Sequence, residues 1–100
     1  LNIAGGIRID EPALDLGVIC ALASSLMEKP IPSATVVCGE VGLAGEVRAI
    51  GQIDTRVAEV KKMGFKRCLV PAGNIKRIRN LGGIKVTGIK TVSEAAEMLF

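Results

Sequence analysis

A chain of 100 residues makes one domain, large enough to bury a sizeable core. Apolar residues form 49% of it and exclude a disordered chain, whereas an aromatic content of 2% implies an aliphatic core and too few rings for base stacking. The net charge of +3 conceals an asymmetry, since residues 1–55 carry a net −4 and residues 56–90 a net +9. The second half therefore predicts a basic face.

The first predicted elements are a strand over residues 2–9, interrupted by Gly5 and Gly6, and a helix that starts at residues 10–12, DEP. Acidic groups suit the positive end of a helix dipole, and proline is tolerated in the first turn. The run that follows, ALDLGVICALASSLM, is apolar on nearly every side, so we expect it to be packed on both flanks. We expect its charged residue, Asp15, to accept backbone N–H groups of the first turn rather than to act in catalysis. The KPIP sequence at residues 29–32 ends the helix, and a buried strand follows over residues 34–41.

The central stretch, EVGLAGEVRAIGQIDTRVAEVKKMGFK at residues 40–66, predicts a strand, a tight turn, a second strand and an amphipathic helix. Gly42 and Gly45 are expected to carry the turn. Asp54 or Thr55 is expected to supply the oxygen that caps the helix. Apolar residues at three- and four-residue steps predict the buried face of this helix: Ile53, Val57, Val60 and Met63.

The last third predicts a strand over residues 67–70, a short basic helix over 73–80 and a strand over 84–89. A final amphipathic helix is expected to be capped at residues 91–93, TVS. The predicted order is β-α-β-β-α-β-(α)-β-α. It indicates an α+β domain in which helices are layered against a sheet.

Three cysteines, Cys20, Cys38 and Cys68, lie among apolar neighbours, and the chain has neither a CxxC pair nor a histidine. This pattern does not suit a zinc site, and an odd number of thiols favours a reducing environment. We therefore expect the cysteines to behave as small buried hydrophobic residues. The longest apolar run, at residues 16–23, is too short to span a bilayer.

Two long tracts in order, IRIDEPALDLGVICALASSLMEKPIP and EVGLAGEVRAIGQIDTRVAEVKKMGFK, precede a short strand that ends in LVP. Together they resemble the proteolytic domain of the Lon protease family over essentially the whole chain. The resemblance implies a Lon proteolytic-domain fold, which is the ribosomal protein S5 domain 2-like fold. The tracts RIDEPALDL and GEVGLAGEVRAI are most similar to the Lon-like domain of a bacterial DNA-repair ATPase. The resemblance thus implies that residues 1–100 form a single domain cut from a larger protein, without its zinc-finger and ATPase parts.

In active members of this family, the nucleophile is a serine in a Gly-Pro-Ser-Ala-Gly motif, and its partner is a lysine near the start of the helix after the hairpin. The resemblance places the serine position at Ala13, the preceding glycine at Glu11 and the lysine position at Arg56. Alanine has no hydroxyl with which to form an acyl-enzyme, and arginine stays protonated and cannot act as a general base. We therefore predict no catalytic residue. Arg56 is expected to pair with a carboxylate instead, such as Asp15 or one on a neighbouring subunit.

The resemblance also implies a ring scaffold, since Lon-like domains assemble as hexamers, here beside an ATPase ring that moves on DNA. ATP, magnesium and zinc are expected only in the parent protein, and no cofactor or metal in this chain. Basic residues expected to contact DNA phosphates without sequence preference are Lys61, Lys62, Lys66, Arg67, Lys76, Arg77 and Arg79. The bacterial cytoplasm is the expected location, with no membrane partner. A pure oligomerisation domain, whose charges serve subunit contacts, and a residual peptidase remain as alternatives.

Overall fold

The computed structural model describes residues 2–3, 7–8, 11–78 and 82–100. Within these residues, the strands are β1 (Asn2–Ile3), β2 (Ile7–Arg8), β3 (Thr35–Val37), β4 (Glu40–Val41), β5 (Val47–Arg48), β6 (Arg67–Pro71) and β7 (Lys85–Ile89). The α-helices are α1 (Asp15–Met27), α2 (Ile53–Lys62) and α3 (Val92–Leu99). Two short 3-10 helices, Pro12–Leu14 and Ala72–Arg77, precede α1 and follow β6.

The central sheet consists of three parallel strands in the order β3-β6-β7. Cys68 on β6 lies opposite Val36 on one side and Val86 on the other. Parallel neighbours need crossover connections, which α2 provides between β3 and β6 and the second 3-10 helix provides between β6 and β7. The predicted mixed α+β architecture, with helices layered against a sheet, is confirmed.

Alternate residues of β6 contribute to two hydrophobic clusters on opposite faces of the sheet. Cys68 and Val70 pack with residues of α2, including Ile53 and Val57. Leu69 packs with residues of α1 and α3, including Leu16. The sheet is therefore covered on both faces, which suits a buried parallel sheet.

The hairpin β4–β5 forms around the two predicted glycines. Gly45 has a φ of 83°, a conformation that glycine adopts without strain, and its N–H donates to the Gly42 carbonyl at 3.0 Å. The Glu46 carboxylate accepts the Ala44 N–H at 3.1 Å and so closes the turn from its side chain. The predicted turn is confirmed.

One long predicted strand is wrong in extent. The strand predicted over residues 34–41 is divided into β3 and β4 because the backbone of Gly39 bonds elsewhere. Its N–H donates to Ala13 O at 2.9 Å, and its carbonyl accepts Leu16 N–H at 3.0 Å. At the amino end, the two halves of the interrupted strand predicted over residues 2–9 form a pair of short antiparallel strands, β1 and β2.

Helix α1 ends where the KPIP sequence predicted, with Glu28 in the left-handed region as its C-cap. The expectation that it is packed on both flanks is wrong. Leu16 and Cys20 are buried against the sheet, but Leu22 is 60% and Leu26 85% exposed. The reason is that a helix on the surface of a sheet packs against it with one face only, and no element among the described residues covers the other face of α1.

Helix α2 buries Ile53 and Val57 as predicted, but its two ends differ from expectation. Neither Asp54 nor Thr55 caps the helix; the N-cap position belongs to Gln52, in the left-handed region with no side-chain capping bond. Met63 is 71% exposed because the helix ends at Lys62, and Met63, as the C-cap residue, no longer lies on the buried face of the helix. At the end of the chain, the predicted cap of α3 is confirmed, since Thr91 Oγ1 accepts the Glu94 N–H at 3.1 Å.

Candidate functional site

The first position that the resemblance assigns to a catalytic dyad, Ala13, lies in the 3-10 helix before α1. Pro12 starts this helix, where a missing N–H is tolerated. The Ala13 side chain is buried in the cluster beneath α2, and its carbonyl accepts the Gly39 N–H at 2.9 Å. A methyl group therefore occupies the position that the resemblance assigns to the nucleophile, and it packs in an apolar cluster.

The second position, Arg56, lies in the first half of α2, and its guanidinium turns towards the 3-10 helix. Its Nε donates to the Gly51 carbonyl at 3.0 Å, and its Nη2 forms a salt bridge with Glu11 Oε1. The Arg56 side chain is 35% exposed and the Glu11 side chain 49% exposed. Glu11 and Arg56, two of the positions at which the chain departs from the motif that the resemblance implies, thus bond to each other.

Arg56 pairs with a carboxylate as predicted, but its partner is Glu11 and not Asp15. Asp15 Oδ2 instead accepts the backbone N–H of Val41 at 3.2 Å. Asp15 therefore accepts a backbone N–H as predicted, but from β4 and not from its own helical turn. The bond leaves Asp15 unavailable to Arg56 and ties the start of α1 to the hairpin.

A groove of about 400 Å³ runs between α2 and the part of the sheet where the end of β3 lies beside the start of β6. We call it the α2 groove; among its lining residues are Ala13, Val36, Cys38, Arg56, Val60 and Cys68. A smaller cavity of about 240 Å³ lies on the other side of Arg56, next to Glu11 and Glu40. The Arg56–Glu11 salt bridge therefore borders both openings.

Two thiols in the α2 groove have shifted pKa values. The neighbouring Cys68 side chain lowers the pKa of Cys38, burial opposes this effect, and the positive charge of Arg56 adds a smaller lowering. The same interaction with Cys38, together with burial, raises the pKa of Cys68. The third thiol, Cys20, lies on the opposite face of the sheet, where burial raises its pKa. All three cysteines are free, but the expectation that they are simply buried holds for Cys20 and Cys68 and not for half-buried Cys38.

The structure brings part of the predicted basic set together at the start of the parallel strands. Arg67 lies opposite Lys85 in the sheet, and the Lys85 N–H donates to the Lys66 carbonyl at 2.9 Å. The Lys61 side chain reaches the same edge, beside Gly83. We call these four basic residues the strand-start surface. Lys85 was not among the predicted residues, although parallel pairing of the two strands would have placed it next to Arg67.

The remaining predicted basic residues lie in other elements. Lys62 is exposed in the last turn of α2, and Lys76 and Arg77 are exposed in the 3-10 helix that follows β6. Arg79 lies outside the described residues. The Arg67 Nε atom is buried and has no hydrogen-bond partner in the described part of the chain. The predicted set is thus spread over more than one surface.

Across residues 2–3, 7–8, 11–78 and 82–100, no helix is long and apolar enough to cross a membrane. The same residues contain no group of three or more side chains placed to hold a metal ion.

The fold and the site residues define a domain of the Lon type. The chain belongs to the family of the Lon protease (S16) C-terminal proteolytic domain, whose pattern matches residues 3–99. Within that family, the predicted resemblance to the DNA-repair protein is confirmed by similarity to DNA repair protein RadA from several bacteria.

RadA of Bacillus subtilis (strain 168) is 45% identical to the chain over 95 residues, which are 95% of the chain and 21% of RadA. RadA of Escherichia coli (strain K12) is 40% identical over 95 residues, which are 95% of the chain and 20% of that protein. RadA of Chlamydia pneumoniae is 42% identical over 103 residues, which cover 99% of the chain and 22% of that protein. The chain therefore spans about a fifth of the length of these relatives.

Proposed function

We propose that the chain is a non-catalytic Lon-like scaffold domain of a RadA-type DNA repair and recombination protein. In this proposal it assembles with copies of itself into a hexameric ring and contacts DNA through its basic residues. The parent protein is a DNA-dependent ATPase of the bacterial cytoplasm, and ATP, magnesium and zinc act outside this domain. The observation that carries the proposal is the salt bridge between Arg56 and Glu11 beside a buried Ala13, in a domain whose Lon fold is otherwise preserved.

The chemistry of these residues supports a domain without peptidase activity. Acyl transfer requires a nucleophile and a group that accepts its proton. Ala13 offers no oxygen, and Arg56 carries its proton throughout the physiological pH range. The Arg56 guanidinium is paired with the Glu11 carboxylate instead of facing a nucleophile.

Charge supports the contact with DNA. Residues 56–90 contain ten basic side chains and a single acidic one, Glu59. Four of the basic residues form the strand-start surface, where the parallel strands begin. Lysine and arginine that neutralise phosphates release counterions, so such binding is independent of sequence and falls steeply with salt. In a ring, a weak contact repeated in each subunit yields useful avidity. The relatives' name, DNA repair protein, supports the same partner.

A matched pair of charge reversals tests the contact with DNA. Lys66→Glu alters the strand-start surface, and Lys29→Glu alters an equally exposed lysine in the acidic half of the chain. Fluorescence anisotropy with labelled single-stranded and duplex DNA, titrated at several salt concentrations, is expected to show weaker binding and a salt slope smaller by about 1 for Lys66→Glu alone. Equal affinities and slopes for the wild type and both variants would refute DNA contact by this surface.

The exposed apolar residues of α1 favour the second candidate, a pure oligomerisation domain. Leu22 and Leu26 lie one turn apart on a helix whose other side meets the sheet. Light scattering over a dilution series is expected to give a hexamer for the wild type and smaller species for Leu26→Lys. A hexamer that binds no DNA at low salt would select this candidate, and a strict monomer would remove the ring from both.

A further inference from the structure

Cys38 and Cys68 are brought together by the register of the parallel sheet. Val36 on β3 lies opposite Cys68 on β6, so residues 36, 38 and 68 share one face of the sheet. The Cys38 N–H donates to the Leu69 carbonyl at 3.0 Å, which fixes the backbone of Cys38 directly beyond β3. Both cysteines line the α2 groove. The two thiols are therefore neighbours at one opening of the domain, although 30 residues separate them in sequence.

Their access to solvent differs. Cys38 is half-buried and faces the α2 groove, whereas Cys68 is fully buried behind it. The groove measures about 400 Å³, room enough for a small organic molecule, and most of its lining is apolar. Cys20 has no part in this arrangement, because it packs on the opposite face of the sheet.

Neighbouring groups act on the Cys38 thiol in both directions. The thiol donates a weak hydrogen bond to the Leu69 carbonyl at 3.8 Å, and burial also favours the protonated form, whereas two neighbours favour the thiolate. The titratable groups that line the groove with it are Cys68 from β6 and Arg56 and Glu59 from α2, while the 3-10 helix contributes only Ala13 and Leu14. The buried Cys68 keeps its proton and lowers the pKa of Cys38, as does the charge of Arg56. A thiolate is the form that reacts with disulfides and other soft electrophiles.

We propose that Cys38 is a nucleophilic thiol that captures low-molecular-weight disulfides with an apolar body in the α2 groove. The thiol proton is first released to solvent. The Cys38 sulfur then attacks one sulfur of the disulfide, a new S–S bond forms as the old one breaks, and the other half leaves as a thiolate. Cys68 acts as a positioning residue that stabilises the Cys38 thiolate and does not itself react.

Stopped-flow absorbance with dithiodipyridine, a neutral aromatic disulfide, measures the reaction on the native chain. One fast thiol is expected in the wild type and in the control Cys20→Ala, and no fast thiol in Cys38→Ala. At pH 7 the fast thiol is expected to react about two- to threefold faster than the same thiol in the urea-unfolded chain, since a larger thiolate fraction outweighs the lower nucleophilicity. A fast thiol that persists in Cys38→Ala, or equal native and unfolded rates, would overturn the proposal.

The pH profile of the fast reaction separates the positioning role from mere packing. The midpoint is expected below about 8.5, the ordinary value for cysteine, and higher in Cys68→Val, which retains an apolar side chain of similar size. An unchanged midpoint in folded Cys68→Val would remove Cys68 from the proposal. If that variant does not fold, the midpoint of the wild type decides, because a value at or above 8.5 contradicts an activated Cys38.

Discussion

Asn74→Ala is expected to be one of the most damaging single substitutions in the chain, although Asn74 lies in a short 3-10 helix, between Gly73 and Ile75. The Asn74 side chain is fully buried, and both polar atoms of its amide group bond to one residue. Its Nδ2 donates to the Ile50 carbonyl at 2.9 Å, and its Oδ1 accepts the Ile50 N–H, also at 2.9 Å. Ile50 precedes Gly51, whose carbonyl holds the Arg56 guanidinium. Asn74 therefore fixes the loop that positions Arg56.

The magnitude follows from the groups that the substitution leaves behind. Truncation removes both bonds and leaves a buried N–H and a buried C=O without a partner, and each such group costs about 1–3 kcal/mol. The sum is about 3–4 kcal/mol when both groups are taken near the middle of that range. A domain of this size has a stability of about 5–15 kcal/mol, so the variant remains mostly folded at 25 °C but with a melting temperature lower by about 15–25 °C.

Urea denaturation followed by circular dichroism measures this effect, with Lys76→Ala as the control. Lys76 lies in the same 3-10 helix but is exposed, so its truncation is expected to change the free energy of unfolding by less than about 0.5 kcal/mol. A loss below about 1 kcal/mol for Asn74→Ala, at an unchanged slope against urea, would show that the two bonds do not hold the loop.

Three further predictions concern the site, the sheet and the hairpin. Ala13→Ser is expected to yield no hydrolysis of a casein-type substrate, because Arg56 cannot accept the serine proton; turnover that is lost on further substitution of Arg56 by alanine would contradict this. Gly88→Ala is expected to cost about 1–3 kcal/mol in urea denaturation, since the new methyl carbon would lie 2.7 Å from the Ile75 side chain. Hydrogen bonds, first of all from its own backbone N–H, lower the pKa of Glu46 in the folded chain. The contribution of the ionised Glu46 to stability is therefore complete above its pKa in the unfolded chain, about 4.3, and is lost as the pH falls through its lower pKa in the folded chain. The stability difference between the wild type and Glu46→Gln is accordingly expected to shrink between pH 6 and pH 3.

The order of helices and strands was predictable because each one depends on local pattern. The stripe containing Ile53 and Val57, the turn at Gly45 and the cap at Thr91 are all decided by residues within a few positions of one another. Strand lengths were less predictable. Gly39 ends the run of β3 by bonding to the backbone of Ala13 and Leu16, and no local pattern reports a bond across that distance.

The candidate site was likewise predictable where it depends on local sequence and not where it depends on long-range contacts. Motif spacing placed Ala13 and Arg56 at the positions of the dyad, but it did not indicate that Arg56 bonds to Glu11, which lies 45 residues away. Asp15 was the nearer choice by charge, and it is occupied by the hairpin backbone. Asn74 gave no signal at all, since asparagine between glycine and isoleucine suits an exposed turn equally well.

The Arg56–Glu11 salt bridge has a structural role beside the α2 groove. A half-exposed pair such as Arg56–Glu11 contributes only about 0–1 kcal/mol to stability, so its main effect is geometric. The guanidinium joins α2 to the loop at Gly51 through one donor and to the segment before α1 through another, a task that suits the planar fork of arginine better than the single ammonium of lysine. These elements are the walls of the α2 groove. Arg56 thus offers no general base, and it links elements that line the α2 groove and the smaller cavity beside it.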